Sequence, residues 1–373
     1  MRAAFVILVT ISTAAPVIAA EAPFVPPGIT PPDYVATVVE KDGIGGKSRN
    51  WTIMHHGEWS RANPDPEQGE YAEYIATNGI VRINVSANDI HFLRDKSMDD
   101  EPRNTGERQI HLDETCTVWE YERPIGSPAV AMLDGLAPNR LSCVTDDGIE
   151  LWQKPLHQIS NTSSQQATHI ERRPVLAEDT APPPRLALDW WDQHAPASAA
   201  SDIPGHEVVL KLSERDPRAA TSIYTRRRSG GWQKIDRIVG TQRFVAVTHE
   251  PSRLRYSFST DVTGRPAVLQ VRTPSEPVDP AALAKAEARL QPKDLGRSER
   301  ILNEDCRWFD MTPGMMNVGK TTCLTQDRIA LKESHFSRSE KTEWTAVSVT
   351  RRPVTPDEMK PPAELFDPQT WLR

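Results

Sequence analysis

Apolar and polar residues alternate along this chain in short runs broken by turn-forming residues. Tyr71 to Thr77 and Ile80 to Ser86 flank Asn78-Gly79, and an Asn-Gly step between alternating runs is the strongest short-range sign of a β-hairpin. A further strand is predicted over Asp89 to Arg94. Arg243 to Thr248 and Arg253 to Ser259 read the same way about the turn residues Glu250-Pro251-Ser252, and Asp147-Gly148 marks a hairpin turn between Cys143 to Thr145 and Ile149 to Trp152. An antiparallel meander is the dominant prediction. One segment departs from it: Asp279 is a good N-cap, Pro280 suits the first helical position, and Ala281 to Leu290 is a run of strong helix formers ended before Pro292. That helix is expected to lay Leu283, Ala286 and Leu290 on the sheet. The polar stretch Asp95 to Gln109 shows no alternation and is expected to be a loop.

The pattern occurs twice. Glu114-Thr115-Cys116-Thr117-Val118-Trp119 and Glu304-Asp305-Cys306-Arg307-Trp308-Phe309 share an acidic-x-Cys start followed by an aromatic residue. Cys143-Val144-Thr145-Asp146-Asp147-Gly148-Ile149-Glu150-Leu151 matches Cys323-Leu324-Thr325-Gln326-Asp327-Arg328-Ile329-Ala330-Leu331, and Ala167 to Val175 matches Ala346 to Val354, both through Arg-Arg-Pro-Val. Pro182-Pro183 and Leu186 match Pro361-Pro362 and Leu365, and upstream Gly57-Glu58-Trp59 has a counterpart in Gly230-Gly231-Trp232. Self-similarity of this kind marks a repeated structural unit. Four cysteines allow three pairings, and equivalent copies require equivalent bridges. The expected disulfides are Cys116 to Cys143 and Cys306 to Cys323, each closing a loop that stabilises by on the order of 3 kcal/mol.

Composition narrows the class. The chain of 373 residues exceeds one ordinary domain, and 32 prolines with a mean hydropathy of -0.52 imply many turns and much wetted surface. A net charge of -7, evenly mixed, carries no basic footprint for nucleic acid. Arg2, the apolar run Phe5 to Ile11 and the small residues Val17-Ile18-Ala19-Ala20 have the layout of a cleaved secretory signal. No cysteine for lipidation follows the cleavage region, and no later apolar run is long enough to span a bilayer. The expected organisation is a signal peptide over 1–20, a proline-rich extended arm over 21–34, a first unit over 35–190, a linker over 191–205 and a second unit over 206–373. A periplasmic or secreted location follows, where disulfides persist.

A Gly-x-Trp strand, a Cys…Cys-x-Thr-x-Asp-x-Ile-x-Leu hairpin and a closing strand ending in Arg-Arg-Pro, in an exported antiparallel unit, resemble the periplasmic lipoprotein-carrier (LolA/LolB-like) superfamily. The resemblance covers both units and implies a mainly β (α+β) fold: two tandem antiparallel curved-sheet half-barrel units with few helices, each over an apolar cavity. It implies a non-catalytic periplasmic binding protein for a lipid, an acyl chain or a lipid-modified protein. The alternative is an envelope protein-interaction or stress-sensing module without a ligand cavity. The chain departs from the family in being duplicated and in having no lid helix in its first unit, and no family motif transfers a functional residue.

Other chemistry is weak. Gly314 to Thr321 matches the phosphate-loop string G-x-x-x-x-G-K-[ST], but that motif needs a strand before it and a helix after it, and the repeat predicts a hairpin here. Gly43 to Ser48 only imitates the string and reads as a turn. His55 and His56 are neighbours on a strand and point to opposite faces, so they do not converge on a metal. Neither a nucleophile elbow nor a metalloprotease helix is present, and no cofactor, metal or catalytic residue is expected. Arg226-Arg227-Arg228 reads as a solvated strand end. Trp190, Trp191 and Trp371 read as packing residues, and Trp59 and Trp232 are candidate ligand or interface aromatics.

Overall fold

The computed structural model describes residues 22–41, 48–65, 71–76, 79–94, 101–122, 139–156, 163–195, 205–213, 222–249, 252–261, 263–273, 291–312, 318–337, 341–360 and 367–372. The signal segment, most of the linker, the helix expected at Asp279 to Leu290, and the matches at Pro361, Pro362 and Leu365 lie outside them. The fold is mainly β and its pairings are antiparallel. The first repeat supplies β1 (Tyr34–Lys41), β2 (Ser48–His56), β3 (Trp59–Pro64), β4 (Tyr71–Ala76), β5 (Val81–Ser86), β6 (Asp89–Arg94), β7 (Arg103–His111), β8 (Glu114–Glu122), β9 (Asn139–Thr145), β10 (Glu150–Pro155) and β11 (Ser164–Arg172). Helices α1 (Ala177–Thr180) and α2 (Leu186–His194) follow.

The second repeat supplies β12 (His206–Leu212), β13 (Ile223–Ser229), β14 (Trp232–Val239), β15 (Gln242–His249), β16 (Arg255–Thr260), β17 (Pro266–Arg272), β18 (Lys293–Ile301), β19 (Glu304–Asp310), β20 (Val318–Leu324), β21 (Ala330–Ser337) and β22 (Lys341–Arg351), then α3 (Pro356–Met359) and α4 (Pro368–Leu372). The ladder of the first runs β6-β5-β4-β3-β2-β1-β11-β10-β9-β8-β7. In the second, β16-β15-β14-β13-β12-β22-β21-β20-β19-β18 follows the same order.

The correspondence reaches the irregularities. The pairing of β1 with β11 slips between Thr37 and Val38, and that of β12 with β22 slips between Val209 and Leu210. Gly106 and Gly296 sit at the same bulge with φ of 77° and 69°, each donating its N–H at 2.8 Å to the side chain two residues earlier, Asn104 or Asp294. The turns that follow place Leu112-Asp113 and Leu302-Asn303 all at positive φ, the pattern of a two-residue type I′ hairpin turn.

Alternation explains most of these strands. In β1, Tyr34, Ala36 and Val38 face the core, and in β12 Val208, Leu210 and Leu212 do the same. The polar stretch expected to be a loop is corrected by β7: Arg103 to His111 pair with β8, although the first six positions of the strand are exposed. Neither face of this strand is buried, so period-two alternation has nothing to report. Ladder hydrogen bonds, the bulge and the turn hold it instead. The expected linker is shortened in the same way, since Trp191 to His194 complete α2 and Trp191 is 2 % exposed.

The described residues fall into two compact units. One holds those of 22–190, 267–269 and 367–372, and the other those of 191–266 and 270–360. The C-terminal helix α4 thus packs with the first repeat, where Trp371 is fully buried and its ring lies 5.6 Å from that of Phe92. The first core gathers Tyr34, Ala36, Val38, Trp51, Ile53 and Ile149, and the second gathers Val208, Leu210, Tyr224, Trp308, Leu331 and Trp344.

Candidate functional site

Both predicted disulfides are present, Cys116–Cys143 and Cys306–Cys323, with Cα atoms 5.3 Å apart in each. Beside each stands an arginine clasp. The Arg172 guanidinium donates to Glu114 at 2.7 and 2.6 Å and to Asp147 at 2.7 Å, tying β11 to β8 and to the β9–β10 turn. Arg351 holds Glu304 at 2.9 and 2.6 Å and Asp327 at 2.7 Å across the equivalent strands. Hydrogen bonds from these arginines hold the carboxyls of Asp147, Asp327 and Glu304 below their ordinary range. The clasp residues stand at matched places in the two copies, but the alignment of the copies alone assigned them no contact. The clasp is a staple of the fold.

The face beyond the staple differs between the copies. In the first unit Thr117, Trp119 and Tyr121 alternate on β8, with Val144, Ser142 and Arg140 beside them on β9. Phe24 lies on this face, its ring stacked on Tyr121 at 4.2 Å and 6.2 Å from Trp119, and it is only 2 % exposed. The arm around it is extended and its burial alternates: Ala22, Phe24 and Pro26 are buried while Pro23 and Val25 are half-buried. Ala22 joins the first core, and a cavity of only about 10 Å³ is left between Pro23 and Tyr34, Ile53 and Glu150. Farther along, Ile29 and Pro31 cross the β9–β10 turn at Gly148, where a Cβ would stand 2.7 Å from Ile29 Cγ2. Under Phe24 a polar row closes the face: Tyr121 donates to Gln153 at 2.8 Å, and Ser142 donates to Tyr121 at 3.3 Å.

In the second unit the equivalent row is charged. Thr322 pairs in register with Glu333, and Lys320 with His335. Glu333 is 1 % exposed and meets Arg226 at 2.5 Å, Lys320 at 3.3 Å and His335 at 3.3 Å. Burial pushes this carboxyl up, but the charges of Arg226 and Lys320 outweigh it and hold it well below the usual carboxylate range. Burial likewise lowers Lys320. The reading of Arg226 to Arg228 as a solvated strand end is therefore corrected: Arg226 and Arg228 are 6 % and 4 % exposed. The sequence carries no signal for this, because Glu333, the ion-pair partner of Arg226, lies on β21, far along the chain.

Lys320 also settles the phosphate-loop string. Its described part, Val318 to Thr321, is strand β20 and not a helix start, so Lys320 is a counter-ion of Glu333. Gly319 is explained by packing, since Phe336 lies across it and a Cβ there would stand 1.8 Å from the ring.

On the opposite face of the same strands, Arg297, Glu299, Trp308, Lys332, Phe336 and Glu343 line a groove of about 310 Å³. Its charges are paired with one another: Lys332 with Glu299 at 3.0 Å and Glu343 at 3.3 Å. Arg297 stacks on Trp308 at 4.4 Å, and the indole N–H donates to Glu299 at 3.1 Å.

The two aromatics singled out in the sequence are buried, Trp59 at 5 % and Trp232 at 8 % exposure. Trp232 packs against Trp191 at 5.5 Å and His249 at 4.6 Å. Neither is among the residues lining the groove. His55 and His56 do face opposite ways: His55 is buried with Nδ1 2.9 Å from Ser60, and His56 meets Asp33 at 3.0 Å. Among the described residues no group of three or more His, Cys, Asp or Glu is placed to hold a metal ion, and no helix is long and apolar enough to cross a membrane. Sequence reasoning also missed Phe24, whose only signal was an aromatic residue within a proline-rich arm.

No family model and no curated protein matches the chain. Two solved structures of a protein named PNGF-II, in C2 and P21 crystal forms, align at 9 % and 11 % identity over 66 % of this chain with a TM-score of 0.28. The chain spans 65 % of that protein's length. A likeness of this size carries no argument about fold or activity.

Proposed function

We propose that this protein is a non-catalytic binding protein of the periplasm or the extracellular space, and that in each unit the face of the cysteine-bearing strands turned away from the disulfide holds extended polypeptide. One observation carries the reading: in the first unit that face is already occupied by polypeptide, with residues 22–26 docked on it and Phe24 as anchor. Two disulfides suit an oxidising compartment. This is the partner-binding alternative of the two expected from sequence. The rival, carriage of a lipid or lipid-modified protein, needs an inner face open to an acyl chain, and in the first unit Ala22, Phe24 and Pro26 of the chain's own arm are buried against that face. The curved half-barrel form of each unit is part of the same proposal. It is supported by the contact of Arg226 on β13 with Glu333 on β21, three strand intervals apart and so about 14 Å along a flat sheet.

The test uses Phe24→Asp, which withdraws the anchor and leaves the rest of the arm in place. A synthetic peptide of residues 22–32 is expected to bind this variant saturably and to change the fluorescence of Trp119. A fluorescent fatty acid is expected not to compete. Saturable uptake of the fatty acid with no binding of the peptide overturns the proposal in favour of the lipid carrier.

A further inference from the structure

We propose that the second unit holds an extended, proline-containing segment of a partner protein, anchored by an aromatic side chain on Phe309, Met311 and Leu324. The inference rests on the polypeptide-binding reading and gives it a second, separate site. The cysteine register makes these residues the equivalents of Trp119, Tyr121 and Val144: Thr117 pairs with Val144 as Arg307 pairs with Leu324, and Trp119 pairs with Ser142 as Phe309 pairs with Thr322. The three remain large and apolar in both copies. Their exposure differs. Under Phe24, Val144 is 1 % and Tyr121 6 % exposed, whereas Leu324 and Met311 are only half-buried. The first unit thus displays the kind of segment that covers this surface, and in the second unit the equivalent surface keeps its apolar character with that cover incomplete. Methionine in place of tyrosine leaves the anchor position adaptable.

The second face also limits its occupant. In the first unit the arm continues over the β9–β10 turn because Gly148 has no side chain. The equivalent position is Arg328, at φ 65° and exposed, so a segment in the second unit cannot follow that course. The occupant therefore corresponds to residues 22–28 of the arm and leaves the face before the turn.

The test is photo-crosslinking of the mature full-length protein with a synthetic peptide of residues 22–28 whose phenylalanine is replaced by benzoylphenylalanine. The labelled fragments are sequenced by mass spectrometry. Saturable labelling within 309–324 is expected, weakened about tenfold by Leu324→Arg, which corresponds to about 1.4 kcal/mol of lost burial. If Leu324→Arg lowers the melting temperature sharply, Met311→Asp takes its place. Labelling confined to the first unit, labelling of 309–324 that neither variant weakens, or no labelling overturns the proposal. If the same peptide still binds the Phe24→Asp protein at its first unit, only the second site is lost. Failure there as well removes the reading on which it rests.

Discussion

Arg172 and Arg351 each gather two carboxylates, one from a strand and one from a hairpin turn, and a lysine in either place offers no planar fork to hold both. The clasps are about 40 % exposed, so solvent screening keeps their worth modest. Arg172→Lys and Arg351→Lys are each expected to lower unfolding stability by about 1 kcal/mol in urea titrations, with equal effects because the two geometries are equal. A loss confined to one variant would contradict the equivalence of the copies. Gly319 gives a second residue-scale test. The Cβ of Gly319→Ala collides with the Phe336 ring, but that ring is 43 % exposed and can turn away, so the expected cost is only about 1 kcal/mol. In the double variant Gly319→Ala with Phe336→Ala most of that cost disappears, and additive losses would refute the contact. The cysteine pairing was legible in sequence because the two copies require equivalent bridges, whereas the clasp acids showed only as matched positions. Glu333, Arg226 and Phe24 were not legible, because their meaning depends on which distant strands the topology brings together.

At the scale of elements, the disulfide hairpins and strand β2 carry distinct expectations. Cys116–Cys143 spans 27 residues and Cys306–Cys323 spans 17, so loop-closure entropy assigns the first about 0.4 kcal/mol more stabilisation than the second. Replacing either pair by alanines is expected to cost roughly 3 kcal/mol in equilibrium unfolding. Strand β2 buries His55 against Tyr34, and burial pushes its pKa down to about 4. Between about 6.5 and about 4 the unfolded chain binds a proton there that the folded chain refuses, so stability falls as pH falls through that window. His91 and His249 are lowered for the same reason and add to the slope. His55→Gln is expected to flatten the pH dependence of the melting temperature between pH 5 and 6.5. An unchanged slope would show that His55 takes up its proton while folded. Strands such as β4, β5 and β15 announced themselves by alternation. β7 did not, since a strand exposed on both faces has no pattern to display.

At the scale of the whole molecule, duplication produced two units with the same ladder, the same bulges and the same staples but with different inner faces. One carries the Tyr121–Gln153–Ser142 row and is covered by the chain's own arm; the other carries the ion-paired cluster around Glu333 and is only partly covered. The repeated framework was readable because both copies are written in one chain. The divergence was not, because residues 22–26 precede the repeat and their docking follows from the fold alone. The measurement that tests the account most directly is native mass spectrometry of the mature protein purified from its own compartment, with solvent extraction of whatever accompanies it. The account predicts a chain with two intact disulfides, free of lipid and still free after incubation with membrane extract. A stoichiometric lipid retained by the folded protein would contradict it.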